Sequence, residues 1–100
     1  MHRDDRPRVY VDFLATDDEG NLLLDRYGTV RDLEQQGVTL KEGLLLACYS
    51  DDADDNGQPD ELRVEGRVTY NAEEKCWVAV IDRNAIRHAS ELEKEAQEKT

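Results

Sequence analysis

The segment from Leu62 to Tyr70 carries the most regular pattern in the chain, because apolar residues alternate there with charged and polar ones. Leucine, valine, glycine, valine and tyrosine occupy every second position, and arginine, glutamate and threonine fill the positions between them. A period of two residues is typical of an antiparallel strand that buries one face. Gly66 interrupts the buried row and predicts a bulge or a sharp bend. The segment is therefore predicted to be one strand of a tightly curved sheet.

Four further segments are predicted to be strands. The segment 75–81 is rich in β-branched and aromatic residues, and a polar turn joins it to Leu62–Tyr70 as a hairpin. The apolar runs at 43–50, 8–15 and 22–27 also have the length and composition of strands. The short spacing between these runs favours antiparallel neighbours.

A short helix is predicted near 30–36, between the strands expected at 22–27 and 43–50. Thr29 is expected to cap its start, and Asp32 is expected to lie in its first turn. Gly37 is expected to end the helix in the left-handed backbone conformation that favours glycine.

A C-terminal helix is predicted from Ser90 and Glu93, which have the spacing of a capping box. Three alanines and Leu92 form its thin apolar seam, so the helix is expected to dock at its start and to fray toward its end. The domain boundaries that follow are a flexible N-terminus at 1–7, a single small β-rich domain at 8–96 and a frayed tail at 97–100.

These elements predict a mainly β fold, namely a small antiparallel five-stranded barrel or curled sheet with one short helix and a C-terminal helix. In its strand number and its long early excursion, the chain resembles the small barrels of the Src-homology-3 class. The alternative is an α+β fold in which a flatter sheet packs under the C-terminal helix. A chain of 100 residues has room for one domain with one modest core.

The charge of the chain restricts its partners. Asp and Glu number 24 against 13 Lys and Arg, which gives a net charge of −11. Such a surface repels nucleic-acid phosphates and anionic membranes, so neither is an expected partner. Proteins or peptides, basic ones in particular, and divalent metals stay compatible with it. No apolar run approaches the roughly 20 residues that span a bilayer, and no apolar signal core is seen, so a cytoplasmic location is expected.

Residues 51–61 contain the one pattern that suggests a specific chemistry. From Asp52 the order is Asp-x-Asp-x-Asn-Gly-x-x-Asp, which sets oxygen side chains at alternate positions before a glycine turn. Calcium takes about six to eight oxygen ligands, and loops of this kind supply them. The candidate ligands are Asp52, Asp54, Asn56, the carbonyl group of Gln58, and Asp60.

The loop 52–60 resembles the calcium loops of thrombospondin type 3 repeats, which implies a Ca²⁺ site in the loop and nothing about the rest of the chain. Arg63 stands where an EF-hand loop carries a bidentate glutamate, so one strong ligand is missing. The alternative is a plain hairpin tip. Asn56–Gly57 is a favoured turn dipeptide, and acidic residues keep such a tip in water.

Three aromatic residues and one cysteine are weaker candidates. Tyr49, Tyr70 and Trp77 could form a peptide groove like that of proline-motif readers, although such residues are more often core. Cys76 could act as a nucleophile with His88 as base. Its place inside a strand argues against a reactive thiolate, and Cys48 and Cys76 are both expected to be buried, unpaired thiols.

The leading hypothesis is a non-catalytic small binding or interaction module that Ca²⁺ stabilises at the Asp52–Asp60 loop. One alternative is an acidic inhibitor that imitates a nucleic acid. Another is an enzyme that uses surface carboxylates, which would need a buried carboxyl group of raised pKa. Motifs for phosphate binding, nucleophile elbows and zinc proteases do not occur in the sequence.

Overall fold

The computed structural model describes residues 6–53 and 57–91, which form six strands and two short helices. In chain order these are β1 (Arg8–Tyr10), β2 (Leu22–Leu23), helix α1 (Tyr27–Gln36), β3 (Leu45–Ala53), β4 (Pro59–Asn71), β5 (Cys76–Val80), a 3₁₀ helix (Arg83–Ala85) and β6 (Arg87–His88). The mainly β class is confirmed, and so is the hairpin that joins β4 to β5.

The strands form one mixed sheet in the order β1-β3-β4-β5-β2, and β6 pairs with a further part of β4. β1 runs parallel to β3, and the other pairs are antiparallel. The sheet is open, so the expected closure into a five-stranded antiparallel barrel is wrong for the described residues. The parallel pair arises because the long excursion through β2 and α1 returns the chain to the side of β1.

Two of the predicted strands are much shorter than expected. The strand expected at 8–15 ends at Tyr10, because the Asp12 carboxylate accepts a hydrogen bond from the backbone N–H of Leu14 and its carbonyl accepts one from Ala15. This Asx turn reverses the chain in place of further pairing. The strand expected at 22–27 keeps two residues before the chain enters α1.

Helix α1 ends as predicted and begins differently. Gly37 has φ 67° and ψ 30°, and its N–H bonds to carbonyls of the last turn, so the predicted left-handed end is confirmed. The helix starts at Tyr27 after Arg26, so the predicted cap at Thr29 is wrong. Asp32 lies one turn further along than predicted. Both side chains are instead used to bind strand β1.

Helix α1 covers the outer edge of β1 with side-chain hydrogen bonds. The Thr29 hydroxyl donates to the carbonyl oxygen of Tyr10 at 2.6 Å, and the Tyr10 N–H donates to Asp32 Oδ2 at 2.9 Å. Gln36 Nε2 donates to the carbonyl oxygen of Arg8 at 2.7 Å. These groups would otherwise be open pairing sites on an edge strand. The helix therefore completes the sheet at this edge without adding a strand.

One face of the sheet carries the core, and alternation along β3 and β4 assigns the side chains to it. The strands contribute Val9, Leu22, Leu46, Cys48, Val64, Val68 and Ala79 to the core cluster, and Val11, Leu24 and, from helix α1, Leu33 complete it. Trp77 packs against this cluster while remaining partly exposed. From the alternating segment, Val64 and Val68 belong to this cluster, whereas Leu62 lies outside the core group of the described residues.

Gly66 does not form the predicted bulge. It keeps regular register opposite Leu46, and Arg67 follows opposite Leu45. A Cβ atom at this position would lie 3.0 Å from both the Ala79 Cβ and the Cys48 Sγ. Glycine is therefore required here because β3 and β5 fill the space that a side chain needs.

Asp17 anchors the turn before β2 to the end of β4. Its carboxylate is buried and accepts hydrogen bonds from the N–H groups of Glu19 and Asn21, both at 2.9 Å. The side-chain amides of Asn21 and Asn71 also donate to it, at 3.1 and 2.9 Å. Burial alone would raise the pKa of Asp17, but these hydrogen bonds together lower it.

Replacing Asp17 with alanine is expected to lower the free energy of unfolding at pH 7 by at least about 2 kcal/mol, because several donors lose their acceptor. The native pKa lies below the unfolded value, so the carboxylate's contribution is complete above the unfolded value of about 3.9 and is lost as pH falls through the native pKa. Urea unfolding of both proteins at pH 7 and near pH 3 measures this. Asp18→Ala, at an exposed neighbour, is the matched control; an equal loss there would contradict the anchor.

The cysteines and the C-terminus complete the comparison with the sequence. Cys48 is buried and Cys76 is half-buried, and both are free thiols, so the prediction is confirmed in full for Cys48. The backbone is helical at 89–91. Glu93, the rest of the predicted C-terminal helix, the tail at 97–100 and residues 1–5 of the predicted N-terminal segment lie outside the described residues.

Candidate functional site

The hairpin between β3 and β4 holds the residues predicted to bind calcium. Asp52 lies directly opposite Asp60, and one further pair closes the described part of the hairpin. Side chains of directly opposed residues project from the same face of a sheet. Gln58 is exposed just before β4, while Asp54 and Asn56 lie outside the described residues. The structure thus brings two of the five predicted ligands together.

Both carboxylates contact the C-terminal segment. His88 Nε2 lies 2.8 Å from Asp52 Oδ2, and this hydrogen bond raises the pKa of His88. The Ser90 hydroxyl donates to Asp60 Oδ2 at 2.7 Å, and that bond lowers the pKa of Asp60. Over residues 6–53 and 57–91, no group of three or more histidine, cysteine or acidic side chains is placed to hold a metal ion.

The three predicted aromatic residues lie on two faces of the sheet. Tyr70 and Trp77 meet edge to face, with ring centroids 5.2 Å apart. Tyr49 pairs in register with Arg63, so it projects from the face opposite the core, where its ring meets Tyr10 with centroids 6.0 Å apart. The structure therefore gives two aromatic pairs in place of one groove.

The residues that could support nucleophilic catalysis are kept apart. Cys76 starts β5 opposite Asn71, whereas His88 pairs with Leu62 near the other end of β4. Burial raises the pKa of the Cys48 thiol to about 12 and also raises the pKa of Cys76. The Ser90 hydroxyl donates to a carboxylate. Among the described residues, Cys76 and His88 therefore do not form the nucleophile–base pair that the sequence suggests.

A groove of about 770 Å³ lies on the outer face of the sheet, opposite the core. The register sets Tyr10, Tyr49, Arg63 and Arg87 in one row across β1, β3, β4 and β6. We call this surface the arginine face and define it by its lining side chains Arg6, Arg8, Ala47, Tyr49, Arg63, Glu65, Ala85 and Arg87. It combines four cationic side chains with one carboxylate, one aromatic ring and two small apolar side chains.

Arg8 and Tyr49 form the centre of the arginine face. The guanidinium carbon of Arg8 lies 3.9 Å from the centroid of the Tyr49 ring, which is a cation–π contact. The Tyr49 hydroxyl donates to Asp32 Oδ2 of helix α1 at 3.0 Å, and this bond holds the ring in position. Burial raises the pKa of Tyr49, and its bond to Asp32 raises it further. The ring is thus a neutral, oriented platform.

Besides Glu65 of its lining, the arginine face holds the carboxylate of Glu61. Arg8 donates to it through two nitrogens, at 3.0 and 2.5 Å, and Arg63 Nε donates to the same Oε1 at 3.0 Å. The bond to Arg8 lowers the pKa of Glu61 and raises the pKa of Arg8. Two-pronged geometry of this kind is how arginine recognises a carboxylate.

The two remaining arginines line the ends of the groove. Arg6 Nε lies 2.6 Å from a carboxylate oxygen of Glu65. Arg87 Nη1 donates to the carbonyl oxygens of Asn84 and Ile86, at 2.7 and 3.0 Å. Arg87 therefore has a defined position and donates to no carboxylate among the described residues, although Glu91 lies near enough for the charge of Arg87 to lower the pKa of Glu91.

Comparison with known proteins gives no relative: no protein-family model, curated protein or solved structure matches this chain. Among the described helices, none is both long and apolar enough to cross a membrane.

Sequence reasoning missed the arginine face, although part of its signal was present. Arg63 and Glu65 fill the outward positions of the alternating segment, so the sequence places both on the solvent-facing side of one strand. The contributions of Arg8 and Arg87 depend on the parallel pairing of β1 and on the short strand β6. Neither pairing has a local pattern, so the row could not be assembled from the sequence.

Proposed function

We propose that this protein is a non-catalytic binding module, and that the arginine face binds an extended segment of a partner protein. One observation carries the proposal: an open groove of about 770 Å³ crosses four strands and is lined by four arginines around an oriented tyrosine. Arginine and tyrosine are among the residue types that contribute most to binding at protein interfaces.

The rigidity of the arginine face supports the same role. Arg8, Tyr49 and Arg63 stand on paired strands, and their side chains are held by hydrogen bonds to Glu61 and Asp32. Little side-chain freedom remains to be lost when a partner binds, which favours affinity. The separation of Cys76 from His88 supports a role without catalysis in the described residues.

The other functions that the sequence suggests stay predictions. The likeness to the Src-homology-3 class concerns the fold, and it is kept only in its general form, a small β-rich domain. Four of these predictions rest on the composition of the chain. They are the basic partner, the acidic nucleic-acid mimic, the enzyme with surface carboxylates and the cytoplasmic location. The arginine face is locally positive, whereas the chain as a whole is negative. It therefore favours a partner other than the basic one that composition predicts.

A selection from a random peptide library tests the proposed function. The protein is expected to enrich related peptides, and Ala47→Trp, which fills the floor of the groove, is expected to abolish their binding. Thr39→Trp, at an exposed position outside the arginine face, is the matched control and should leave binding unchanged. Circular dichroism establishes that each variant is folded.

Should Ala47→Trp fail to fold, Arg87→Glu takes its place, because that side chain is exposed and bonds to backbone carbonyls alone among the described groups. If the peptides bind the wild type, Ala47→Trp and Arg87→Glu equally well, the binding site lies outside the arginine face. Failure to enrich any peptide would refute the module as proposed.

We also propose that Ca²⁺ binds the Asp52–Asp60 loop, as the sequence pattern suggests. Ca²⁺ at about 10 mM, well above the affinity of weak extracellular-type loops, is expected to shift the amide resonances of 51–53 and 57–61 in NMR spectra. Since Asp52 and Asp60 contact His88 and Ser90, an ion bound by these carboxylates changes the charge beside both groups, and their resonances should shift as well.

Mg²⁺ serves as the control ion, and it should have less effect because it holds its water ligands more strongly. A response to Ca²⁺ that leaves His88 and Ser90 unchanged would mean that the ion binds without Asp52 and Asp60. Absence of any shift at about 10 mM Ca²⁺ would remove the proposal.

A further inference from the structure

We infer that the segment bound by the arginine face is acidic, with glutamate or aspartate carboxylates held by the guanidinium groups. This inference rests on the proposed function and names the chemistry of its partner. The lining contains four arginines and Glu65, and Glu61 is bound to two of these arginines, so arginines outnumber carboxylates by four to two in a chain whose acidic residues outnumber its basic ones by 24 to 13. The groove is therefore a cationic area on a strongly anionic protein.

The contact between Arg8, Arg63 and Glu61 shows that this surface has the geometry to bind a carboxylate. Three nitrogens of the two arginines lie within 3.0 Å of the two oxygens of Glu61. Bonds between charged partners of this type are shorter and stronger than neutral hydrogen bonds. A second carboxylate, supplied by a partner, can be bound in the same manner by the arginine next along the row.

Arg87 is that next arginine. It lies directly opposite Arg63 in the pairing of β4 with β6, so both side chains project into the groove. Among the described residues, its guanidinium donates to backbone carbonyls and not to a carboxylate. Arg63 is already paired with Glu61, so Arg87 is the arginine beside this pair that can bind a carboxylate from a partner.

The size and surroundings of the groove favour a short peptide over a nucleic acid. The row from β1 to β6 crosses three strand spacings, about 14 Å, which matches roughly four to five residues of an extended peptide. Charges beyond about 8 Å are largely screened at physiological salt, so a short acidic segment is attracted locally. A long polyanion must also lie against the rest of a surface with net charge −11, which repels it.

Fluorescence anisotropy with defined peptides tests the inference. A labelled short peptide in which glutamate alternates with alanine is expected to bind the intact protein. The same peptide with glutamine at each glutamate should bind at least about tenfold more weakly, since each lost charge-assisted bond is worth about that factor. Raising NaCl from about 50 to about 300 mM should weaken binding of the acidic peptide and leave the glutamine peptide nearly unchanged.

Paired variants of equal charge separate the groove from net charge. The double variant Arg63→Gln/Arg87→Gln is expected to weaken binding of the acidic peptide by about tenfold or more. Arg26→Gln/Arg31→Gln changes the net charge equally outside the arginine face, and it should alter binding by less than about twofold. If the first variant does not fold, Arg87→Gln alone gives the comparison.

Several results would overturn the inference. These are equal binding of the glutamine peptide, equal losses in the two double variants, tight binding of a short single-stranded DNA, and self-association that depends on Arg63 and Arg87 in analytical ultracentrifugation. Library peptides that depend on Ala47 but are not acidic would refute the acidic partner and leave the proposed function standing. If no peptide binds in a way that depends on the arginine face, both the acidic partner and the proposed function are refuted.

Discussion

Replacing Leu46 with alanine is expected to lower the free energy of unfolding by about 3–5 kcal/mol. Leu46 is fully buried, stands on the interior strand β3 and projects into the core. The lost side chain leaves a cavity that paired strands on both sides of β3 cannot close. Since a domain of this size is stable by about 5–15 kcal/mol, the variant is expected to be close to unfolding at room temperature. Urea denaturation followed by circular dichroism measures the change.

Leu45 is the matched control for this experiment. It is the preceding residue of the same strand, with the same side chain, but it projects from the outer face and is 37% exposed. Leu45→Ala is expected to cost less than about 1 kcal/mol, as is usual for exposed positions. Similar losses at the two positions would mean that the assignment of inner and outer faces is wrong.

Replacing Gly66 with valine is expected to destabilise the protein by about 3 kcal/mol, near the upper end for overpacking. A Cβ atom alone would lie 3.0 Å from both the Ala79 Cβ and the Cys48 Sγ, and valine adds two methyl groups to it. Both neighbours are buried on paired strands, so neither can move away easily. The higher strand propensity of valine offsets less than about 1 kcal/mol.

A double-mutant cycle with Cys48→Ala tests this explanation for Gly66. Cys48→Ala removes the sulfur atom that would lie 3.0 Å from the Cβ of a residue at position 66, so it should make room for the valine side chain. The double variant is therefore expected to be more stable than Gly66→Val alone, even though Cys48→Ala destabilises the wild type. Simple addition of the two losses would show that the sulfur is not the obstacle.

The sequence predicted best those parts of the fold that neighbouring residues determine. The alternation at Leu62–Tyr70 and the β-rich run after it locate β4 and β5, and the turn between them makes the pairing local. Gly37 ends helix α1 because the left-handed conformation is a local preference. Each of these features depends on residues within one element or one turn.

The parts that could not be predicted depend on contacts between distant segments. Nothing near Arg8 shows that β1 pairs in parallel with β3, and a local Asx turn at Asp12 ends the strand early. Thr29 has the chemistry of a helix cap, but its hydroxyl binds the β1 edge, where it satisfies a carbonyl. Tertiary hydrogen bonds thus replaced the local one that the pattern indicates.

The candidate sites also differ in whether neighbouring or distant residues form them. The acidic loop is visible in the sequence because its ligands would be neighbours along the chain. The arginine face is not visible in this way, because Arg8, Arg63 and Arg87 come from three separate strands. A net charge of −11 further directs attention to basic partners, since a whole-chain sum hides a local surface of opposite sign.

The parallel attachment of β1 has a consequence for when the protein becomes able to bind. β3, β4 and β5 follow one another along the chain and form two hairpins, which can assemble from local contacts. Arg8 pairs with Ala47 much further along the chain, so β1 can dock only after a long loop has closed, which is the slower kind of step. Arg6 and Arg8 reach the groove through this docking. A chain that has formed its hairpins but not yet placed β1 therefore lacks half of the arginines that line the site, and partner recognition is reserved for the completed fold.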